Sequence, residues 1–167
     1  MRAIYLTSVW IHILAAVVWI GGMTFLVLVL VPWLRAGNRA RAGPLMSELG
    51  RRFRTVGWIC FGVLLVTGSL NLWARGVRPA DLASAPWWHA PFAHALAWKL
   101  SLFVLVLLVS AVHDFWLGPR ATVLMQQAES AAEAERMRRW AALLGRSNLL
   151  FALLLVGLGV ILVRGWP

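Results

Sequence analysis

The sequence has little acidic charge and almost no cysteine. Cys60 is the single cysteine among 167 residues, so the chain can build neither a disulfide framework nor a cysteine-based metal motif. Six acidic residues stand against 16 Lys and Arg, which gives a formal net charge of +10. In a soluble protein this balance would suggest nucleic acid. Here the basic residues cluster at the ends of apolar runs, so membrane topology and anionic lipid explain them better, and we expect no nucleic-acid partner.

Long apolar runs dominate the rest of the chain. Hydrophobic residues make up 61% of it, with a mean hydropathy of +0.77, whereas soluble domains use about 45–50% apolar residues. About 20 apolar residues suffice to cross a bilayer core. Four runs are long enough, at residues 4–31, 53–73, 92–117 and 141–163. The sequence therefore predicts an all-α integral membrane protein, a four-transmembrane-helix bundle that forms one domain over residues 1–167.

The arginines are distributed unequally between the two sides of this predicted bundle. The first and third connections carry eleven: Arg35, Arg39, Arg41, Arg51, Arg52, Arg54, Arg120, Arg136, Arg138, Arg139 and Arg146. The opposite side carries four: Arg2, Arg75, Arg78 and Arg164. Because short cytoplasmic loops are enriched in Lys and Arg, we expect a multi-pass protein of a bacterial-type inner membrane with both termini outside.

His12 lies well inside the first apolar run. An ionisable side chain at such a depth is costly, normally faces the bundle interior and often marks a functional site. On a helical period it shares a stripe with small, aromatic and polar residues. That stripe consists of Tyr5, Ser8, His12, Ala15, Trp19, Gly22 and Leu26. We predict that the stripe is the buried face of the first span. The alternative is that His12 only hydrogen-bonds a neighbouring helix.

Lys99 lies at nearly the same depth in the third span. From the helical rise per residue, His12 is roughly 12 Å and Lys99 roughly 10 Å from the outer ends of their spans. Thr67 and Asn71, in the outer half of the second span, complete this outer layer. The alternative for Lys99 is that its ammonium group snorkels to the outer interface.

A second polar layer is predicted near the cytoplasmic ends of the spans. Its members are Arg54, His113, Asp114, Arg120, Arg146 and Asn148. An unpaired carboxylate at the end of a span is expensive. We therefore predict that Asp114 pairs with Arg120, Arg54 or Arg146. The alternative to a functional role is that such an ion pair only links helix ends.

A histidine and a second ligand at matched depth in a helical bundle are typical of a membrane b-type haem. Haem iron accepts a neutral imidazole nitrogen and other axial donors, and lysine can serve only as the neutral amine. We therefore predict haem b as cofactor, with His12 and Lys99 as iron ligands. Trp19 and Asn71 complete the predicted cofactor-binding set.

Several short motifs resemble a known family. They are His12 with Trp19-Ile20-Gly21-Gly22, Arg51-Arg52-Phe53-Arg54, Thr67-Gly68-Ser69-Leu70-Asn71, Trp98-Lys99-Leu100 and His113-Asp114-Phe115-Trp116-Leu117-Gly118-Pro119-Arg120. In order and spacing they resemble the membrane domain of the copper-resistance D (CopD) family and the related HemJ-type protoporphyrinogen oxidases, which are four-helix proteins that bind haem b.

The resemblance implies roles for individual residues. A histidine in the first span and a lysine at the start of the third form the functional pair of HemJ-type proteins, and these match His12 and Lys99. Arg54, His113 and Asn148 fall where that family has polar residues, which marks them as candidate catalytic groups. HemJ-type chains usually have a Tyr-His pair followed by Gly-Arg. This chain has a valine before His113 and a proline before Arg120, which is closer to the copper-resistance branch.

Three functions follow from these observations. The first is a haem b redox protein, a membrane oxidoreductase that exchanges electrons between a small substrate or porphyrinogen and the quinone pool. The second is a copper-handling membrane protein, since copper(I) accepts imidazole as well as sulfur ligands, with His89 and His94 as its outer candidates. The third is a non-catalytic assembly or sensor subunit. The sequence leaves open which of these applies, whether the protein is an enzyme and whether it forms a homo-oligomer.

Overall fold

The described residues of the chain form long helices. The computed structural model describes residues 2–36, 39–120 and 131–165, and these contain no β-strand. Residues 37–38 and 121–130, in the first and third predicted connections, lie outside the described residues. Within the described ranges, four helices are long and apolar enough to cross a membrane: span 1 (Arg2–Leu34), span 2 (Pro44–Ala74), span 3 (Pro91–Arg120) and span 4 (Glu135–Arg164). Each contains one of the predicted runs, so the all-α prediction and the four predicted spans are confirmed as helices, and their composition indicates a multi-pass membrane protein.

Two of the four spans contain a π-helical segment. Span 1 covers α1 (Arg2–Phe25), a π-helical segment (Leu26–Leu30) and all but the last residue of α2 (Val31–Arg35). Span 3 begins with α5 (Pro91–Ala111) and continues into a second π-helical segment (Val112–Leu117). A π-helical turn rotates the side chains that follow it relative to a regular α-helix, and such turns are frequent at functional sites.

The other two spans belong to longer α-helices. Span 2 is part of α3 (Arg39–Ala74), and span 4 is part of α6 (Ala131–Arg164). Between spans 2 and 3 the chain forms α4 (Pro79–Leu82) and a 3₁₀ helix (Ala85–His89). The first turns of span 2 carry ion pairs of Glu48 with Arg51 and Arg52, and pairs of this spacing add little to the stability of an exposed helix.

The spans pack as two hairpins. The α1 helix packs along α3, and α5 packs along α6, while the two hairpins meet through contacts between α1 and α6. Across the bundle, spans 2 and 3 are bridged by aromatic rings, and the centroids of Phe61 and Phe103 are 6.0 Å apart in a T-shaped arrangement.

An apolar layer occupies the middle of this bundle. Trp19 packs edge-on against Phe61 with 4.8 Å between ring centroids, and Leu64, Val106 and Ala152 are buried in the same cluster. Aromatic pairs in this geometry contribute beyond their buried area. The layer separates the polar residues of the outer half of the bundle from those of the inner half.

The face of span 1 that was predicted to be buried is confirmed. Within the stripe that contains His12, Ser8, Ala15 and Trp19 are at most 8% exposed, and no member of the stripe is fully exposed. The opposite faces of the spans carry exposed apolar side chains, among them Val17, Val66, Leu108 and Leu154. An apolar outer surface of this extent suggests a lipid environment.

Glycine permits a close approach of spans 1 and 2 in the inner half of the bundle. A Cβ atom at Gly22 would overlap the ring of Phe53, whereas a Cβ at the neighbouring Gly21 would meet nothing within 4 Å. The Phe53 ring therefore fills the space that the missing side chain of Gly22 leaves.

Candidate functional site

His12 is held in the outer half of the bundle by the second span. Its Nδ1 lies 2.8 Å from Oγ1 of Thr67, and the imidazole packs against Gly68, where a Cβ would lie 3.5 Å from Cε1 of His12. Ser8, one turn earlier on span 1, donates to the main-chain oxygen of Thr67 over 3.2 Å. These contacts give the His12 ring one defined orientation.

The partners of Thr67 determine which nitrogen of His12 carries the proton. The Thr67 hydroxyl donates to the main-chain oxygen of Val63 over 2.6 Å. Since a hydroxyl has one proton to give, the same oxygen must accept from Nδ1–H of His12. The neutral imidazole then has a free lone pair at Nε2. Histidines that ligate metals generally donate their other ring N–H in this way, which fixes the tautomer and the ring orientation.

Lys99 lies against the fourth span. A Cβ at Gly159 would lie 3.2 Å from Nζ of Lys99, whereas a Cβ at Gly157 would meet nothing within 4 Å. Lys99 is half-buried and within electrostatic range of both His12 and Arg75. The structure thus brings the predicted pair, His12 and Lys99, into one region of the outer half.

Asn71 and Trp19 occupy different positions relative to this pair. Asn71 lies one turn beyond Thr67 on span 2, and its Oδ1 atom is buried with no hydrogen-bond partner among the described residues. A buried acceptor without a donor is costly. Trp19 belongs to the apolar layer instead, where it packs against Phe61 and next to Gly57.

The inner polar layer is organised around Asp114. Its carboxylate accepts a hydrogen bond from Nε1 of Trp58 over 3.1 Å and one from Nδ1 of His113 over 2.9 Å. The side chain of Asp114 is 20% exposed and that of His113 is 38% exposed. Because an ionised carboxylate can only accept, Nδ1 of His113 carries the proton, and Nε2 is the open position of the ring.

The prediction of an arginine partner for the Asp114 carboxylate is wrong. Arg54 donates to the main-chain oxygen of Asp114 over 3.0 Å and lies over the Phe115 ring at 5.5 Å. Arg120 stacks on Trp116, and Arg146 is exposed. The π-helical segment that contains Asp114 turns its carboxylate toward Trp58, so Arg54, one turn away from Trp58 on span 2, meets the backbone instead.

Asn148 ties three spans together next to this cluster. Its Nδ2 donates to Oγ of Ser110 over 2.9 Å and lies 4.0 Å from the sulfur of Met23. Its Oδ1 is buried and has no hydrogen-bond partner within residues 2–36, 39–120 and 131–165. The structure therefore joins Arg54 and His113 through Asp114, with Asn148 about one helical turn away from them along spans 3 and 4.

The candidates for a copper site are exposed at the outer side. His89 ends the 3₁₀ helix and His94 lies in the first turn of α5, and both are exposed. In the described part of the chain no three His, Cys, Asp or Glu side chains are grouped so that they could hold a metal ion. No observation on the structure favours copper handling.

Sequence reasoning missed three residues of these clusters. Trp58, a hydrogen-bond donor to Asp114, is absent from the predicted site, although it lies four residues after Arg54 and so shares its helix face. Gly68 and Gly159, which pack against His12 and Lys99, are also absent from the predicted site. A comparison of residue depths across all four spans would have found these two glycines.

Comparisons with known proteins correct the resemblance. Residues 14–130, more than half of the chain, match the family described as Domain of unknown function (DUF4149). The chain is 33% identical over 159 residues, 93% of both proteins, to an uncharacterized protein of Aquifex aeolicus (strain VF5). No solved structure matches the chain. Membership of the copper-resistance D or HemJ-type families is therefore not supported, and that prediction was wrong: the chain belongs to the DUF4149 family.

Proposed function

We propose that this protein is a haem b-binding membrane redox protein, with Nε2 of His12 and the amine of Lys99 as the iron ligands. The observation that carries the proposal is the hydrogen-bond chain from His12 Nδ1 through the Thr67 hydroxyl to the Val63 oxygen. It leaves one imidazole nitrogen with a free lone pair inside a membrane span. A neutral imidazole nitrogen is the commonest protein ligand of haem iron.

The residues around His12 fit such a group. Gly68 gives the imidazole a flat surface to pack on, and Gly159 makes space for the amine of Lys99. The buried, unpartnered Oδ1 of Asn71 supplies an acceptor at the same level. Neutral ligands also avoid the cost of holding charge within the hydrocarbon region.

The apolar layer in the middle of the bundle separates the site at His12 and Lys99 from the inner polar groups. Trp19, Phe61 and Leu64 are buried there, and they exclude water between the outer and inner polar groups. A haem supplies one-electron chemistry whose potential depends on its ligands and on the polarity around it. In this proposal the protein exchanges electrons between a small substrate and the quinone pool, and Arg54, His113 and Asn148 handle protons or anions at the inner end.

The proposal includes an orientation in a bacterial-type inner membrane. The eleven arginines of the first and third connections, against four on the opposite side, support a cytoplasmic position of those connections with both termini outside. The half of the bundle that holds His12 and Lys99 then faces outward.

Reporter fusions test this orientation. A fusion after Gly37, in the first connection, should report a cytoplasmic position, and a fusion after Ser84, in the second connection, should report the opposite side. Alkaline phosphatase and green fluorescent protein give complementary signals for the two sides. A cytoplasmic signal at Ser84 would show that the arginine bias does not set the orientation.

An optical spectrum tests the cofactor. The protein, purified in detergent from cells supplied with iron, should show a Soret band and, after reduction with dithionite, sharp α and β bands of haem b. Iron should accompany the protein, and copper should not. Bound copper in the absence of haem would replace this proposal with copper handling, and a colourless, metal-free protein would support a non-catalytic subunit.

A further inference from the structure

A cavity of about 400 Å³ lies at the outer end of the bundle, where span 2 ends and span 3 begins. Its volume is typical of small-molecule binding sites. The φ angle of Gly76 is 87°, a conformation that glycine adopts readily, and it turns the chain from α3 into the second connection. The cavity is lined by Arg75, Gly76, Val77, Asp81, Trp87 and Phe92. None of these residues belongs to the polar clusters described above.

Arg75 is held at the wall of this cavity by contacts to two other spans. Its Nη1 donates to the main-chain oxygen of Leu162 on span 4 over 3.1 Å, and its guanidinium group lies 5.9 Å from the ring centroid of Phe92 on span 3. A guanidinium group has five N–H donors. Within residues 2–36, 39–120 and 131–165, the other donors of Arg75 have no acceptor. They are therefore available to an anionic group that enters the cavity.

Asp81 places a carboxylate on the same cavity. Its Oδ2 accepts a hydrogen bond from the main-chain N–H of Arg78 over 2.7 Å, which orients the side chain at the start of α4. Among the described residues, its Oδ1 has no hydrogen-bond partner, and no ion pair joins Asp81 to Arg75. Two opposite charges that line one cavity without pairing are complementary to a ligand that carries both charges.

The position of the cavity along the spans favours a lipid over a soluble ligand. Arg75 directly follows span 2, and Phe92 is the second residue of span 3. The rings of Trp87 and Phe92, 6.4 Å apart between centroids, form an apolar wall at this level. In a membrane the ends of spans lie at the level of the lipid headgroups, where tryptophan is enriched. A phospholipid can therefore place its headgroup in the cavity while its acyl chains stay beside the spans.

We propose that this cavity binds the headgroup of a phospholipid that carries a primary ammonium, with the phosphate on Arg75 and the ammonium on Oδ1 of Asp81. A guanidinium group suits phosphate oxygens, and an ammonium with N–H donors satisfies the free acceptor of Asp81. A quaternary ammonium has no N–H to donate. A neutral glycerol headgroup leaves the carboxylate of Asp81 without an opposite charge beside the phosphate.

The test compares three lipids that share a phosphate and dioleoyl chains but differ beyond the phosphate. Phosphatidylethanolamine ends in a primary ammonium, phosphatidylcholine in a quaternary ammonium and phosphatidylglycerol in a neutral glycerol. Each is titrated into the full-length protein in detergent, and native mass spectrometry measures the fraction of protein that carries one lipid. The wild-type protein should bind phosphatidylethanolamine roughly tenfold more tightly than the other two. Equal affinities would overturn the proposal, and this comparison needs no variant to fold.

A headgroup without acyl chains distinguishes a lipid from a soluble ligand. The compound sn-glycero-3-phosphoethanolamine carries the same phosphate and ammonium, and it is added to the lipid-bound protein at the concentration of phosphatidylethanolamine. The lipid should stay bound, because its chains bury apolar surface against the spans. Displacement at equal concentration would show that the cavity takes a soluble zwitterion and would overturn the lipid assignment.

Asp81→Asn tests the contact to the ammonium. Asparagine keeps an oxygen that can accept from the N–H of Arg78, but it carries no charge. Phosphatidylethanolamine should bind more weakly and phosphatidylglycerol more tightly, because the amide neither attracts an ammonium nor repels a phosphate. A preference for phosphatidylethanolamine that stays tenfold in this variant would overturn the role of Asp81.

Arg75→Gln tests the contact to the phosphate. All three lipids share this group, so each should bind roughly tenfold more weakly. Arg164→Gln is the matched control, because it removes the same charge from an exposed arginine at the end of span 4 that does not line the cavity. It should keep both the affinities and the preference of the wild type. Unchanged affinities in Arg75→Gln would overturn the assignment of the phosphate.

Discussion

Replacement of His12 by alanine should abolish the Soret band of the purified protein. His12 supplies the imidazole nitrogen that Thr67 and Val63 leave free, and alanine supplies none. Loss of the imidazole that would hold the iron should lower the haem content at least about tenfold, because even the loss of a ligand's hydrogen-bond partner costs roughly 10–100-fold in metal affinity. The measurement is the ratio of Soret absorbance to protein concentration.

Two further variants control this experiment. His94→Ala removes an exposed histidine and should leave the spectrum unchanged. Lys99→Ala should shift the ligand-sensitive bands while the bundle stays folded, because the chain then offers one of the two residues that would hold the iron. Wild-type spectra for both His12→Ala and Lys99→Ala would refute the ligand assignment.

Gly22→Ala should destabilise the protein strongly for so small a change. The new Cβ overlaps the Phe53 ring, and the ring can only move by separating spans 1 and 2 or by leaving its rotamer. Overpacking of this kind costs about 1–3 kcal/mol. The expected result is a lower midpoint of thermal unfolding in detergent, measured by the loss of helical circular dichroism.

The neighbouring glycine provides a matched control. Gly21→Ala meets nothing within 4 Å, and alanine favours the helix over glycine by up to about 1 kcal/mol. Its unfolding midpoint should equal or exceed that of the wild type. Equal midpoints for the two variants would mean that the Phe53 ring moves aside at little cost. The close approach of spans 1 and 2 would then contribute little to stability.

The positions of the spans and the buried face of span 1 could be predicted because they depend on hydropathy and helical period alone. Depth along a helix follows from a fixed rise per residue, which is why His12 and Thr67 were expected in one layer and are found in contact. The same argument placed Lys99 at that level. These quantities need no knowledge of how the helices are rotated against each other.

The partners in the inner layer could not be predicted in this way. A π-helical segment changes the direction of Asp114, and the choice between Trp58 and an arginine depends on that rotation. Sequence pattern does not reveal a π-helical turn. The family was also misjudged, because short motifs of Gly, Trp and apolar residues recur in membrane helices and are specific only in combination.

Electron–nuclear double resonance on the ferric protein labelled with ¹⁵N-histidine tests the central claim most directly, because it counts the imidazole nitrogens bound to the iron. One imidazole per haem is the predicted result, since the structure offers Nε2 of His12 and the amine of Lys99 as the two ligands. The signal should disappear in His12→Ala and persist in His94→Ala. Coupling to two imidazoles, or to none, would contradict the account.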